Sequence, residues 1–279
     1  MNTKTANNQK ESPAQQLYIK KHRQHHHFIT LMRFLVLFLF LLIWEMAARL
    51  ELIDTFFFSS PSMVVSCFFK MLFDGSFFSN TGITLLETLI SFALITAFSL
   101  LAAILLWYSR TLSEIFEPYL VVLNSLPKSA LAPLFIVWLG TGIDTIIVAG
   151  ISVAIFGSII SLYTGFKHVD AEKLKLIYTL GGSRFTALKK VVLPASVPAI
   201  LSNMKVNIGL ALVGVIIGEF LAARRGLGYL IIYGSQVFQL NMVITSIIIL
   251  CVIAMALYQC IQFAEHLYKK KNGQDSLTI

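Results

Sequence analysis

Charge is scarce in this sequence. Only 13% of its 279 residues are Asp, Glu, Lys or Arg, where an ordinary soluble domain carries about 25%. With 57% hydrophobic residues and a mean hydropathy of +0.78, a soluble enzyme is excluded. Cysteine is scarcer still: Cys67, Cys251 and Cys260 form no CxxC or metal-type spacing, so no disulfide framework is expected. There is no GxxxxGK[ST] loop to hold nucleotide, no HExxH, no GxSxG, and no carboxylates paired at helical spacing within an apolar run. Strict apolar–polar alternation is missing too, as Phe34 to Ile43 illustrates, and that excludes a transmembrane barrel.

What is present is a series of unbroken apolar runs of about 20 residues, each long enough at 1.5 Å per residue to cross a hydrocarbon core of about 30 Å. Run length and the charged or Gly/Pro-containing breaks predict an all-α membrane protein with six spans, near 31–50, 81–108, 118–139, 143–165, 197–221 and 241–264. The six make one membrane domain over residues 31–265. Residues 1–30 are polar, rich in Asn, Gln, Lys and His, and are expected to stay mobile ahead of a retained signal anchor. Residues 266–279 read as a short basic tail. Pro127 and Pro133 each remove a backbone donor from the third span, which should therefore kink or break, while Pro198 opens the fifth.

The net charge of +8 would suggest nucleic acid in a soluble chain, but here the position of the charges carries the information. Lys20, Lys21, Arg23, Arg110, Lys167, Lys173, Lys175, Arg184, Lys189, Lys190 and Lys269 to Lys271 fall on one side of the proposed spans. The other side holds Arg49, Lys70, Arg224 and Arg225. The richer side is expected to be cytoplasmic, with both termini there, and nucleic acid is not an expected partner.

Residues 167–197 form the one long loop on that side, and they have the pattern of soluble helices. Asp170 is a good N-cap; Leu174, Ile177, Tyr178 and Leu180 give an apolar stripe; Gly181-Gly182 can take positive φ and close the helix. Ser183 then caps a second short helix through Phe185, Leu188 and Val191, bearing Arg184, Lys189 and Lys190 on its other side and stopping near Pro194. From periodicity alone, this helix-turn-helix is equally a lipid-facing amphipathic element or a protein-docking one.

Gly181, then Val191 ten positions on, then Leu193-Pro194, resembles the cytoplasmic loop signature of ATP-binding-cassette importer permeases: EAA, three residues, G, nine residues, I, one residue, LP. Lys175 stands where that signature has Glu, and Ile177 where it has its second Ala. Trp44-Glu45, Ser60-Pro61-Ser62, Leu126-Pro127-Lys128, Ala132-Pro133-Leu134, Trp138-Leu139-Gly140, Glu219 and Gly226-Leu227-Gly228-Tyr229 extend the resemblance, in order, to the branch serving nitrate, sulfonate, taurine, bicarbonate and thiamine-precursor import. The resemblance implies the type I importer permease fold in a bacterial inner membrane. It implies two permease copies forming the pathway, a separate ATPase dimer that binds ATP and Mg, and an extracytoplasmic solute-binding protein. It gives Asp170, Lys175, Ile177, Gly181, Gly182, Val191, Leu193 and Pro194 the coupling to that ATPase, and this chain no cofactor or metal of its own.

Polar groups inside spans are the candidates for the pathway, because an ionisable side chain at mid-bilayer costs at least about 2.5 kcal/mol. Lys128 and Lys205 could attract an anionic solute, or could bond to carbonyls freed by Pro127 and Pro133. Asn203 and Asn207 share one helical face, from which Lys205 is turned away. Glu219 could pair with Arg224 or Arg225 or could act in gating, and Gly209 and Gly218 are expected to let helices approach closely. Residues 222–240, with Gly226, Gly228 and Tyr229, read as an external loop serving as gate or docking surface. The histidines His22, His25, His26 and His27 suggest a pH-dependent juxtamembrane charge rather than a metal site. The rival reading, a self-sufficient secondary transporter or channel, suits six helices with embedded charges, but the expected repeat of broken helices in matching halves is absent.

Overall fold

The structure, a computed structural model, describes residues 13–271, and among these every regular element is helical. In order they are α1 (Pro13–Arg49), α2 (Thr55–Phe58), α3 (Pro61–Phe73), α4 (Ser76–Tyr108), α5 (Arg110–Ser125), α6 (Lys128–Leu139), α7 (Ile143–Lys167), α8 (Ala171–Thr179), α9 (Arg184–Ala187), a π-helical turn at Leu188–Val192, α10 (Leu193–Ala222), α11 (Leu227–Gln236) and α12 (Leu240–Lys271). Residues up to Met63 form one compact unit and residues from Val64 a second.

In the first unit, α1 carries the apolar stretch Phe28–Arg49. Contrary to the expected mobile tail, this helix already begins at Pro13, and residues 1–12 lie outside the described part. Proline is pre-set for a helix's first turn, Ala14, Gln15, Gln16 and Leu17 are good helix formers, and the apolar span supplies the nucleus from which a helix extends at little further cost. At its other end Glu45 bonds Arg49 Nε at 2.8 Å and accepts the Ser62 N–H at 3.1 Å, so it caps the start of α3.

In the second unit, α4, α7, α10 and α12 are each long and apolar enough to cross a membrane. Helices α5 and α6 meet at a 96° bend; with α1 the candidate spans number five, or six when this bent pair is counted as one. The break falls at Leu126-Pro127, as expected; Pro133 and Pro198, by contrast, sit inside α6 and α10 without ending them. The core is the packing of α4, α7 and α10. A Cβ on Gly214 would come within 2.8 Å of Gly150 Cα, and one on Gly218 within 2.8 Å of Ile146 Cα, so α7 and α10 touch backbone to backbone. Hydrocarbon tails are as apolar as leucine, and close packing of this kind is therefore what holds membrane helices together. Gly209, expected to do the same, has nothing within 4 Å of where its Cβ would be.

At one end of this bundle Ala103 and Leu106 of α4 pack with Ile159, Leu162 and Phe166 of α7 and with Leu188 and Val192 of the π turn. At the other, Leu212, Leu227, Leu230, Ile249 and Ile253 join α10, α11 and α12.

Candidate functional site

The helix pair α8–α9 is built as its residues dictate. Asp170 accepts the Glu172 N–H at 2.9 Å and starts α8. Gly181 takes φ +77° and ends it, with Gly182 N bonded back to Ile177 O at 2.9 Å. Ser183 accepts the Thr186 N–H at 3.2 Å and starts α9. The pair does not end at Pro194. Leu193 N reaches back five residues to Leu188 O, and this single π turn spares Pro194 the donor it lacks, so that α9 runs on into α10 as one continuous rod.

One side of the element is fastened to the bundle and the other is left open. Leu188 and Val192 are buried, 5% and 0% exposed, against Phe166. The Arg184 guanidinium lies over the Trp107 and Tyr108 rings at 5.8 and 6.0 Å, at the end of α4. Facing away are Leu176, Tyr178, Leu180 and Phe185, all large apolar side chains between 46% and 74% exposed. Lys175 is also exposed, whereas Ile177 and Val191 are half-buried.

The polar residues singled out within the spans, Lys128, Asn203, Lys205, Asn207 and Glu219, each bond inside the chain. Ser158 Oγ donates to Ser99 Oγ at 2.8 Å and accepts N–H groups from Asn203 at 2.7 Å and Asn207 at 2.8 Å. Its one proton and two lone pairs are thus all used, joining α4, α7 and α10 through a single atom. The two asparagines share a face as expected, and that face is turned into the bundle. Lys205, on the other side of α10, bonds Glu265 of α12 at 2.6 Å, and Lys269 bonds the same carboxylate at 2.9 Å. Lys128 Nζ donates to the carbonyls of Leu123, Asn124 and Leu126 at 2.5, 3.0 and 2.9 Å. Leu123 O is the acceptor that Pro127, four residues on, cannot satisfy, so the lysine caps a helix end that proline opened.

Glu219 is fully buried and, contrary to the expected pairing, has neither Arg224 nor Arg225 as partner. It accepts from Thr84 Oγ1 at 2.6 Å and Gly228 N at 2.5 Å, and it touches the Glu87 carboxyl. The remaining free N–H groups at the start of α11 go to α4: Gly226 N to Asn80 Oδ1 at 2.8 Å and Leu227 N to Thr84 Oγ1 at 2.9 Å. Buried acceptors thereby satisfy the three leading donors of a helix whose N-terminus favours negative charge. Residues 227–236 are therefore a docked helix rather than an open loop. Glycine is required at its start: a Cβ at Gly226 or Gly228 would overlap the Glu219 carboxylate at under 3.0 Å, and Gly226 has φ +119°.

Asn80, Thr84, Ser99, Ser158 and Glu265 were not among the candidates. The Thr84–Glu87 pair on one turn of α4 was the available signal, since polar groups in an apolar run need partners.

Residues 90–267 match the family described as binding-protein-dependent transport system inner membrane component. The chain is 32% identical over 234 residues to a Haemophilus influenzae protein named "Probable ABC transporter permease protein", covering 83% of this chain and 94% of that one. It is 26% identical over 223 residues to the taurine transport system permease protein TauC of Escherichia coli, covering 78% and 81%. Its fold matches a chain of the MetNI methionine ABC transporter in an inward-facing conformation, with a TM-score of 0.58 at 18% identity over 68% of this chain and 92% of that one.

Proposed function

Because the chain belongs to the family of inner membrane components of binding-protein-dependent transport systems, it is a permease subunit of an ATP-binding-cassette importer, and we propose that it carries a small anion. Solutes of the sulfonate, nitrate or bicarbonate type, and thiamine-precursor-like molecules, are the classes in view; TauC is a relative whose name specifies taurine, an aminosulfonate. Two copies of the chain line the pathway. A pair of cassette ATPases, binding ATP and Mg, works it from the cytoplasm, and an extracytoplasmic binding protein delivers solute at the α11 end. Both termini and the α8–α9 pair lie on the cytoplasmic side of the inner membrane, in keeping with the lysines and arginines concentrated there.

The observation that carries this reading is the two-sidedness of α8–α9. An exposed apolar face formed by Leu176, Tyr178, Leu180 and Phe185 offers a docking surface, and the buried grip of Leu188 and Val192 transmits its displacement straight into α10. The exposed face supplies contact and the continuous rod supplies leverage. Asp170, Gly181, Gly182, Leu193 and Pro194 set the angle between them; Lys175, Ile177 and Val191 adjust the fit.

The test is a detergent pull-down of the tagged chain from its host, with ATP hydrolysis assayed on what is recovered, for the native protein and for Gly181→Val. Recovery of a cassette ATPase that the variant loses or fails to stimulate is the expected result. A monodisperse chain that transports without any ATPase would replace the reading with a secondary transporter.

A further inference from the structure

At the α11 end, the residues just after α10, the start of α7 and part of α4 line an open cavity of about 610 Å³ whose polar lining comes from Thr141, Gly142, Glu87 and the exposed Arg224 and Arg225. That volume lies within the range of about 300–1,000 Å³ found for small-molecule sites. Among the described residues neither arginine forms an ion pair. Glu87, which could have neutralised them, is only 3% exposed and lies against the carboxyl of the buried Glu219, with its Oε2 unpaired and no bond to either arginine. Asp144, in the first turn of α7, does not line the cavity. Gly142 begins α7 with no side-chain cap, and Gly142 and Ile143 both line the cavity, so the N-terminus of a 25-residue helix stands at its wall. Ile83, Leu86, Ile143 and Ile146 complete the wall with apolar surface.

We infer that this cavity is an oxyanion subsite, in which Arg224, Arg225, Thr141 and the α7 N-terminus hold the charged head of a small organic anion while the isoleucines and leucine take its apolar part. The assignment rests on the anion-importer reading and gives that reading a place on the chain. The lysines within the spans are otherwise committed, Lys128 to three carbonyls and Lys205 to Glu265, whereas the two arginines are cationic, forked and uncompensated. A sulfonate headgroup matches that fork. A phospholipid phosphate has the same chemistry, and the experiment separates the two sources.

The purified permease–ATPase complex is placed in nanodiscs of phosphatidylcholine, with or without phosphatidylglycerol, and equilibrium binding of radiolabelled methanesulfonate is measured without the binding protein. The native complex should bind saturably in both lipids. Arg224→Gln with Arg225→Gln should weaken binding about tenfold or more, as loss of charge-assisted hydrogen bonds implies, while Arg224→Lys with Arg225→Lys, which keeps the charge and loses the fork, should fall between the native and the glutamine forms. Unchanged thermal unfolding of the glutamine variant would establish that it is folded; if it is not, each single Gln variant is compared with its Lys counterpart. Equal binding by native and glutamine forms, or no saturable binding by the native form, overturns the subsite. So does binding abolished by phosphatidylglycerol when that lipid co-purifies with the native protein and not with the variant, because the oxyanion is then a lipid headgroup. Failure of the importer reading is distinct: methanesulfonate binding would persist, but proteoliposomes supplied with ATP and binding protein would take up no solute.

Discussion

The two ends of the bundle are built on opposite principles. At the α11 end the polar groups look inward: Asn80, Thr84 and Glu219 are all buried, and each spends its acceptors on the first N–H groups of α11. At the α8 end they look outward, and the buried contacts are apolar, from Phe166, Leu188 and Val192. Two glycines mark the contrast. Gly228 sits where any Cβ meets a carboxylate, whereas Gly181 has positive φ with nothing within 4 Å. One glycine is needed for space and the other for backbone angle. The start of α11 is thus closed onto its own buried network, while the α8–α9 pair keeps its shape by local caps and presents an open surface.

Substitutions can break that contrast, and the largest effect is expected at the closed end. Glu219→Ala leaves the Thr84 hydroxyl and the Gly228 N–H buried without an acceptor, at a cost of about 3 kcal/mol or more. Thermal unfolding in detergent should show a lowered transition and loss of assembled protein; a variant as stable as the native chain would mean that the network is not what holds α11.

At the open end the outcome should reverse. Gly181→Val strains the left-handed position by about 1–2 kcal/mol but meets no neighbour, so insertion and folding persist while ATPase stimulation and uptake fall. Gly181→Asn, tolerated at positive φ, should recover most of the activity. Loss with both variants would point to the side chain rather than the backbone angle.

A smaller effect is expected in the middle of the bundle. Asn207→Ala removes one of the three bonds at Ser158, at about 0.6 kcal/mol and at most about 1.7. A much larger destabilisation would place the asparagine in a role beyond this node.

Much of the fold is legible in the sequence because its signals are local. Run length marks the spans, Pro127 marks the break in the third, and Asp170, Gly181 and Ser183 mark the α8–α9 pair with the caps and positive φ that the structure contains. What escaped is non-local or context-dependent. Lys205 finds Glu265 sixty residues away, and no pattern along α10 points to it. Glu219 was matched to the nearest cations, but the helix start beside it offered donors already aligned. Pro194 reads as a stop, and only the π turn ahead of it, invisible in residue types, lets the helix continue. Residues 227–236 are too short a run to announce themselves as a helix, and only their docking on α4 and α12 makes them one.

The 96° bend between α5 and α6 also bears on how the protein is made. At 1.5 Å per residue the 16 residues of α5 reach about 24 Å and the 12 of α6 about 18 Å, so neither can cross the hydrocarbon core unaided. During synthesis this segment emerges before its partner α7, with Lys128 and the carbonyls of the break seeking to stay out of lipid. Its stable membrane insertion is therefore expected to wait for the next hydrophobic helix, against which Gly157 leaves room for Asn124, so that substitutions that enlarge Gly157 should lower the yield of inserted protein more than its folded stability alone would predict.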